Sequence, residues 1–592
     1  MDPVTIAVVR GALDQVADEL DKHLIRAAIS PIISEMNDCA NGMFHPETGE
    51  TIAQGKYGLP VFLANMQLTV QNLIPIVREQ GGFKPGDIWI VNDPYFSGTH
   101  LSDVCLVSPY FIDNELFVLF ASTGHWIDIG GAVPGGWGPK ATEIHQEGVF
   151  IPPVKLYESG KPNEALIRTI LANLRMPHEV RGDLVAMTNV CFVGRRRMDA
   201  LVARFGKHVL AECMTEMMDR SEEQMRSYIR EFPDGVYEFE DWLDNDGLID
   251  KPIRFKLKIT VKGSDLEFDF TGTDPRPKGP LNLARTTTIS TCYVALKHIF
   301  PEIPVNGGTF RPTRFIIPEG CALAAEYPAP VGGYLEMVGV VLDLVFGALV
   351  KLAPERAPAA FFGTTGVTTI SGRDPATKRY FSAAWPYPGG YGGSAASDGL
   401  VHGVSPQSMA TLMSFELSEH RYPFRFEEVA IRENSGGPGR HRGGCGTRFV
   451  VRALSECQVS VLGDRVDHRP FGVCGGREAA PNSVAFRVDG KEWTPPMRSK
   501  YQNLILQADD LIMLGSPGGG GYGDPLERAV EDVETDLNRG YVARESAERD
   551  YGVVIKSVVE KDGRARYTID KEATRARRES MKKKTAKEPQ PA

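Results

Sequence analysis

The sequence predicts an α+β protein of several domains, with mixed sheets, helical segments and a glycine-rich, β-dominated C-terminal half. Three observations carry this expectation. Apolar residues recur at helical spacing from the N-terminus to about residue 30. Short apolar or alternating runs, typical of strands, recur further along. From about 355 to 515, glycine and short strand-like runs dominate. A chain of 592 residues with 42% apolar content is long enough for two to four domains with substantial cores.

Each element has a local cause. Asp2-Pro3 is a helix start, an acidic N-cap followed by proline at the first helical position. Ile6, Val9, Leu13, Val16, Leu20, Leu24 and Ala27 then repeat at spacings of three and four. Between about 36 and 155, short apolar runs separated by Gly, Pro and Asn predict a mixed sheet region. Residues from about 164 to 231 read as helical, with Gly206 as a break. Two alternating strands, Ile253–Ile259 and Leu266–Phe270, flank the turn Lys262-Gly263-Ser264-Asp265. Helices are expected over 286–299 and 334–352, strands over 458–462 and 483–488, and a final helix over 526–538. The expected domain pattern is an N-terminal helix-plus-sheet region over 1–160 and a helical region over 161–235. An α/β region over 236–354 and a glycine-rich β region over 355–525 follow, with a C-terminal helix and charged tail over 526–592. No repeat of 20–50 residues is apparent, which argues against a solenoid.

Composition narrows the function classes. A net charge of −10 argues against a nucleic-acid binder, which would need a basic face. Positive charge is concentrated in residues 571–592, where eight Lys/Arg face three Glu, and this tail reads as a solvated, disordered end. Nine scattered cysteines without a Cys-x-x-Cys give no disulfide framework. No signal peptide begins at Met1, and the most apolar segment, 337–352, is short and broken by Asp343. These features place the expected protein in the cytoplasm, away from a membrane.

The most informative motifs are Gly98-Thr99-His100-Leu101-Ser102-Asp103 and Gly124-His125-Trp126-Ile127-Asp128, whose histidines lie 25 residues apart. Each sets a carboxylate three residues after an imidazole at the end of an apolar run. Nitrogen and oxygen ligands together suit divalent Zn, Mn or Fe. Taken alone, a histidine and an aspartate this close more often share a hydrogen bond; it is the pairing that raises a metal site. Asp38, after the first helix, reads on its own as a turn or cap residue. Glu143 and Glu147 read as solvated surface acids.

Other motifs are weaker. Gly518–Gly523 satisfies G-x-G-x-x-G, but no parallel β-α-β unit surrounds it, so a tight structural turn is expected. The Gly436–Gly444 segment reads as a loop rather than an anion cradle. Neither a P-loop, a kinase glycine loop nor a G-x-S-x-G elbow occurs, so any ATP is expected on another chain.

At these residues the chain resembles the hydantoinase B/oxoprolinase family, from Asp2 to about Pro525. The motifs that carry it include Asp2-Pro3-Val4-Thr5, Asn92-Asp93-Pro94-Tyr95 with Gly98-Thr99-His100, and Gly124-His125 with Asp128-Ile129-Gly130-Gly131. Asp269-Phe270-Thr271-Gly272-Thr273, Ser435-Gly436-Gly437-Pro438-Gly439 and Pro517–Pro525 follow in order. The resemblance implies a hydantoinase A-type ATPase partner that carries ATP and Mg and phosphorylates the substrate carbonyl, in a hetero-oligomer. It implies a divalent-metal reaction on this chain: opening of hydantoins or lactams, including 5-oxoproline, or carboxylation of acetone or acetophenone. Carried over by position, the implied metal ligands are Asp38, His100, Asp103 and His125, with Asp128 behind them orienting His125. Hydantoin opening to N-carbamoyl amino acids is the leading expectation. A 5-oxoprolinase or lactamase component, a ketone carboxylase component and a non-catalytic scaffold for the ATPase are the alternatives. Two departures bear on the pocket: Pro60-Val61-Phe62-Leu63-Ala64 stands where many members have Pro-Val-His-Leu-Gly, and Asn37-Asp38-Cys39-Ala40 where a hydroxyl-rich sequence is common.

Overall fold

The computed structural model describes residues 1–561 and 564–585. Its N-terminal part is built on a seven-stranded sheet. The strands are β1 (Cys39–Phe44), β2 (Thr51–Gln54), β3 (Ile88–Val91), β4 (Asp103–Ile112), β5 (Glu115–His125), β6 (Val154–Glu158) and β7 (Lys161–Pro162). Their spatial order is β2-β1-β5-β4-β3-β6-β7, and every neighbouring pair is antiparallel.

Both faces of this sheet are buried, which explains the unbroken apolar runs of its central strands. Val118 and Phe120 of β5 join the core under α1 (Pro3–Ala27). Leu119 and Ala121 join the opposite core, beside α2 (Pro60–Glu79). A strand sends successive side chains to opposite faces, so a strand covered twice has no polar phase. Asp2 caps α1 by accepting from the Val4 and Thr5 amides. Helix α2 is long and apolar enough to cross a membrane, yet most of it is buried between the sheet and a later helix over Arg285–Ile299.

Helices α3 (Pro177–Phe205) and α4 (Lys207–Ile229) follow, broken by Gly206 at a φ of 81°. A four-stranded sheet formed by 235–243, 253–262, 265–269 and 313–316 packs with α5 (Arg285–Ile299) and α6 (Tyr334–Leu349). Two further sheets, of four and five strands, share a core in the 367–515 region. Fold class thus follows the expectation: mixed sheets, helical segments and a β-dominated C-terminal half.

The glycine-rich segments depart from it. Gly518–Gly521 is neither a tight turn nor a nucleotide loop; it is an irregular segment lodged among other glycine segments and bonded to them through its backbone. Gly519 N–H donates to Gly444 O (3.0 Å), Gly444 N–H to Tyr391 O (2.8 Å) and Gly437 N–H to Gly519 O (2.8 Å). Gly393 N–H donates to Gly520 O (2.9 Å), and Gly521 N–H to Arg477 O (2.9 Å). Backbones here lie so close that a Cβ on Gly443 would sit 1.7 Å from Gly519 O. Glycine is required for approach, as in polyproline-II-like bundles, and not for a positive φ. The 436–444 segment is part of the same bundle and not a free loop.

The C-terminal region also differs. The expected final helix is a shorter one, Val530–Arg539, followed by Arg544–Asp550, a hairpin of strands 555–561 and 564–569, and a helix Lys571–Thr585. Val533, Leu537, Tyr551 and Ile569 give this region a small core of its own. The expected disordered tail is therefore helical over 571–585, because Arg577 and Arg578 donate to backbone carbonyls of 548, 551 and 528. The rest of that expectation, 586–592, lies outside the described residues.

Candidate metal centre

Three neighbouring strands deliver the site. β1 starts just after Asp38, β5 ends at His125 and β4 starts at Asp103, all at one end of the sheet. Asp103 pairs directly across from His125, and the His125 amide donates to Asp38 O (3.1 Å). His100 reaches the same place from a shaped loop. Asp93 caps the short helix Pro94–Ser97 through the Tyr95 and Phe96 amides. Gly98 (φ 57°) and Thr99 (φ 126°) then turn the chain back. Asn92 holds that return, donating to Leu101 O (2.7 Å) and Val149 O (2.9 Å) and accepting from Ile151 N–H (2.6 Å).

His100, Asp103 and His125 each offer a ligand atom, all within 4.8 Å of one another, and all three are nearly inaccessible. The two imidazole rings are 5.0 Å apart at their centroids. His100 Nδ1 and Asp103 Oδ2 share a hydrogen bond of 2.8 Å. Asp38 stands beside this trio, lining the same cavity as His125. Five buried polar atoms here have no hydrogen-bond partner: His100 Nε2, both ring nitrogens of His125, Asp103 Oδ1 and Asp38 Oδ1. Buried polar atoms are rarely left unpaired, and the four on His100, Asp103 and His125 fit a cation, whereas Asp38 lies outside the group whose ligand atoms are within 4.8 Å of one another.

Electrostatics agrees with the donor set. Burial lowers His125 to about 3, against the opposing pull of Asp103, so its imidazole is neutral, the form that binds a metal. Burial raises Asp103, but its interactions with the neighbouring imidazoles, the His100 hydrogen bond among them, outweigh it and hold it below the ordinary value. Asp38 is raised well above its ordinary value, first by burial and then by Asp103. A cation between the two carboxylates would reverse that second effect.

Asp128 does not do what the resemblance implied. Its Oδ2 accepts from the Arg175 amide (2.5 Å), and its Oδ1 from the Arg175 guanidinium and the Gly130 amide (both 3.3 Å). No bond to His125 forms. Beyond β5 the chain leaves the sheet, and the Asp128 carboxylate turns towards the 173–175 segment. Glu147 is likewise no surface acid. It is buried, raised to about 8 by burial, and accepts from the Val331 (3.0 Å) and Gly332 (2.7 Å) amides. Glu143 is exposed, as expected.

Two aromatic residues were not legible as site residues. Trp137 stacks on His125 (4.9 Å, 16°). Tyr334, at the start of α6, lies with its ring centroid 4.7 Å from that of His100. Glu147 fixes the 331–332 turn that leads into Tyr334. Beyond the cluster, a cavity extends between the end of the N-terminal sheet, strands 367–373 and 380–385, and a strap over 404–410. The strap is tied down where the Val61 amide donates to Gln407 O (3.1 Å) and the Thr411 amide to Met36 O (2.9 Å).

The model of the hydantoinase B/oxoprolinase family matches residues 2–525. The caprolactamase beta chain of Pseudomonas jessenii is 32% identical, over 98% of this chain and 99% of that one. The crystal structure of the ATP-dependent caprolactamase from that organism superposes with a TM-score of 0.88, at 30% identity, over 98% of this chain and 100% of its own. The B-type component of a putative D-/L-hydantoinase from Pseudomonas sp. strain NS671 is 29% identical, over 95% of this chain and 97% of its own. The nucleotide-free acetone carboxylase structure shares the fold, with a TM-score of 0.90 at 19% identity, over 100% of this chain and 84% of that one. With the family model covering most of its length and the fold shared end to end, this chain belongs to the hydantoinase B/oxoprolinase family.

Proposed function

We propose that this chain is the B-type component of an ATP-dependent complex that hydrolyses the ring amide of a cyclic substrate, with 5-substituted hydantoins opened to N-carbamoyl amino acids. The observation that carries the reading is the cluster of unpaired donor atoms beside a largely apolar cavity that His125 and Asp38 line. His100, Asp103, His125 and Asp38 would hold a divalent cation, Mn, Zn or Fe, with Mn or Fe favoured because four protein ligands leave room for substrate only at higher coordination. When bound, the cation supplies Lewis acidity and lowers the pKa of water at the amide carbon. The chain's own residues do the rest. Asp103 fixes the His100 tautomer, Trp137 packs on the His125 ring, and the apolar walls exclude bulk water. Nine free thiols, eight of them buried, fit a cytoplasmic protein.

An amide carbonyl is a poor electrophile, and phosphorylation of its oxygen by a hydantoinase A-type ATPase partner, carrying ATP and Mg, would supply the activation. The caprolactamase and hydantoinase relatives are both named as subunits, which favours such a partner. The isolated chain is expected to hydrolyse no ATP. Adding the ATPase partner should give ATP-dependent ring opening, read by mass as substrate plus water. Strict bicarbonate dependence with a gain of carbon dioxide would instead establish the carboxylase alternative, which the acetone carboxylase fold keeps open.

Asp128→Asn separates this arrangement from the one the resemblance implied. Because Asp128 pairs with Arg175, the change is expected to lower stability by about 1–3 kcal/mol in thermal unfolding. Divalent metal per chain should stay unchanged by mass spectrometry. A fall in metal content would return Asp128 to an orienting role.

A further inference from the structure

The cavity beside the cluster is mostly apolar. Asp38, His125 and Tyr334 form its polar end, Met36, Leu59, Val61, Val367 and Val404 are among the apolar walls, and Thr365, Ser405, Gln407 and Ser408 add only neutral polar groups. None of the described residues lining it is Lys or Arg. Its one buried carboxamide, Gln407, is committed to the wall itself. The Gln407 Oε1 accepts from Ser405, and its Nε2 donates to Thr365 Oγ1 (3.1 Å). The buried cations behind the 364–366 wall are also taken: Lys500 by Asp464 at 2.6 Å, and Arg465 by Asp241 and Asp343.

A carboxylate on the substrate would therefore enter with no cation to pair with, apart from the metal at the polar end, where it would compete with the reacting amide and meet Asp38. Burying an ion without a partner is among the most costly changes a site can demand. Hydrocarbon substituents, by contrast, would find the apolar walls.

From this we infer that the cavity filters ring substrates by charge, taking cyclic amides with hydrogen or hydrocarbon substituents and rejecting ring carboxylates of the 5-oxoproline type. The inference rests on the reading of this cavity as the place where a cyclic amide is opened. It goes beyond that reading by choosing among the substrates such an enzyme could take.

The test uses the complex reconstituted with its ATPase partner and a divalent metal, and two substrates of nearly one shape: 5-oxoproline and its methyl ester. The ester, which lacks the charge, should be opened with a kcat/KM roughly 100-fold or more above that of the acid, the scale on which a site rejects a group it cannot pair. Val404→Lys should narrow the gap about tenfold or more by raising kcat/KM for the acid, since a charge pair formed away from water is worth at least that factor. Ser408→Lys, at a second half-buried position on the strap, serves if the first variant does not fold. An acid opened as fast as the ester would overturn the inference and leave the proposed function standing. So would an ester preference that neither lysine alters, because the filter would then lie on the ATPase partner. If the complex hydrolyses ATP but opens neither these nor 2-piperidone nor 5-methylhydantoin, the proposed function itself fails and the inference falls with it.

Discussion

Alanine at His100 or His125 is expected to strip the divalent cation from the chain and reduce activity of the reconstituted complex by roughly two or more orders of magnitude, the scale of losing a metal-activated nucleophile. The geometry explains why the loss should be so complete. His125 contributes two unpaired nitrogens and His100 one, in a cluster whose ligand atoms already lie within 4.8 Å of each other. Removing either imidazole leaves one nitrogen ligand and two carboxylates, one of which, Asp38, is held far towards its protonated form by burial. Both histidines sit at strand or loop ends, so the sheet should survive their truncation. Metal content per chain and circular dichroism, measured together, separate loss of a ligand from loss of fold. Full activity in either variant would favour the scaffold alternative.

How much of this was visible in the sequence depends on how local each signal is. The convergence of His100, Asp103 and His125 was legible because each motif ends an apolar run, and the ends of neighbouring antiparallel strands meet. The first helix was legible from its capping acid and spacing. Asp128 misled because sequence distance says nothing of where a chain turns after leaving a sheet, and the carboxylate found Arg175 instead. Trp137, Tyr334 and the strap over 404–410 were hidden for a different reason. They reach the site from separate elements through tertiary packing, and no period or spacing marks them. Glu147 looked like a surface acid because the two amides that bury it come from a segment 184 and 185 residues away.

Glycine was the residue most misjudged, and it carries the second large expected effect. Gly443→Ala should cost more than about 4–5 kcal/mol, enough to prevent folding of most of the chain. The added Cβ would lie 1.7 Å from Gly519 O and 2.4 Å from the carbonyl carbon. Those are backbone atoms, and they cannot swing aside as the tip of a side chain would. Moving them breaks the ladder in which Gly519 N–H donates to Gly444 O and Gly437 N–H to Gly519 O. Gly11→Ala is the contrasting case. It sits within α1 with nothing within 4 Å of its added Cβ, so it should stabilise by about 0.5–1 kcal/mol. Soluble yield and thermal unfolding of the two variants check the pair. A Gly443→Ala protein that melts within a degree or two of the parent would show that the bundle is not packed backbone to backbone. The same bundle reaches the cavity beside His100, Asp103 and His125. Gly389 and Gly403 exchange two backbone hydrogen bonds, and Tyr391 Oη donates to Val404 O (2.7 Å), just where the strap departs. A milder change in the bundle, one that still folds, should therefore loosen the strap and weaken substrate binding while leaving His100, Asp103 and His125 in place.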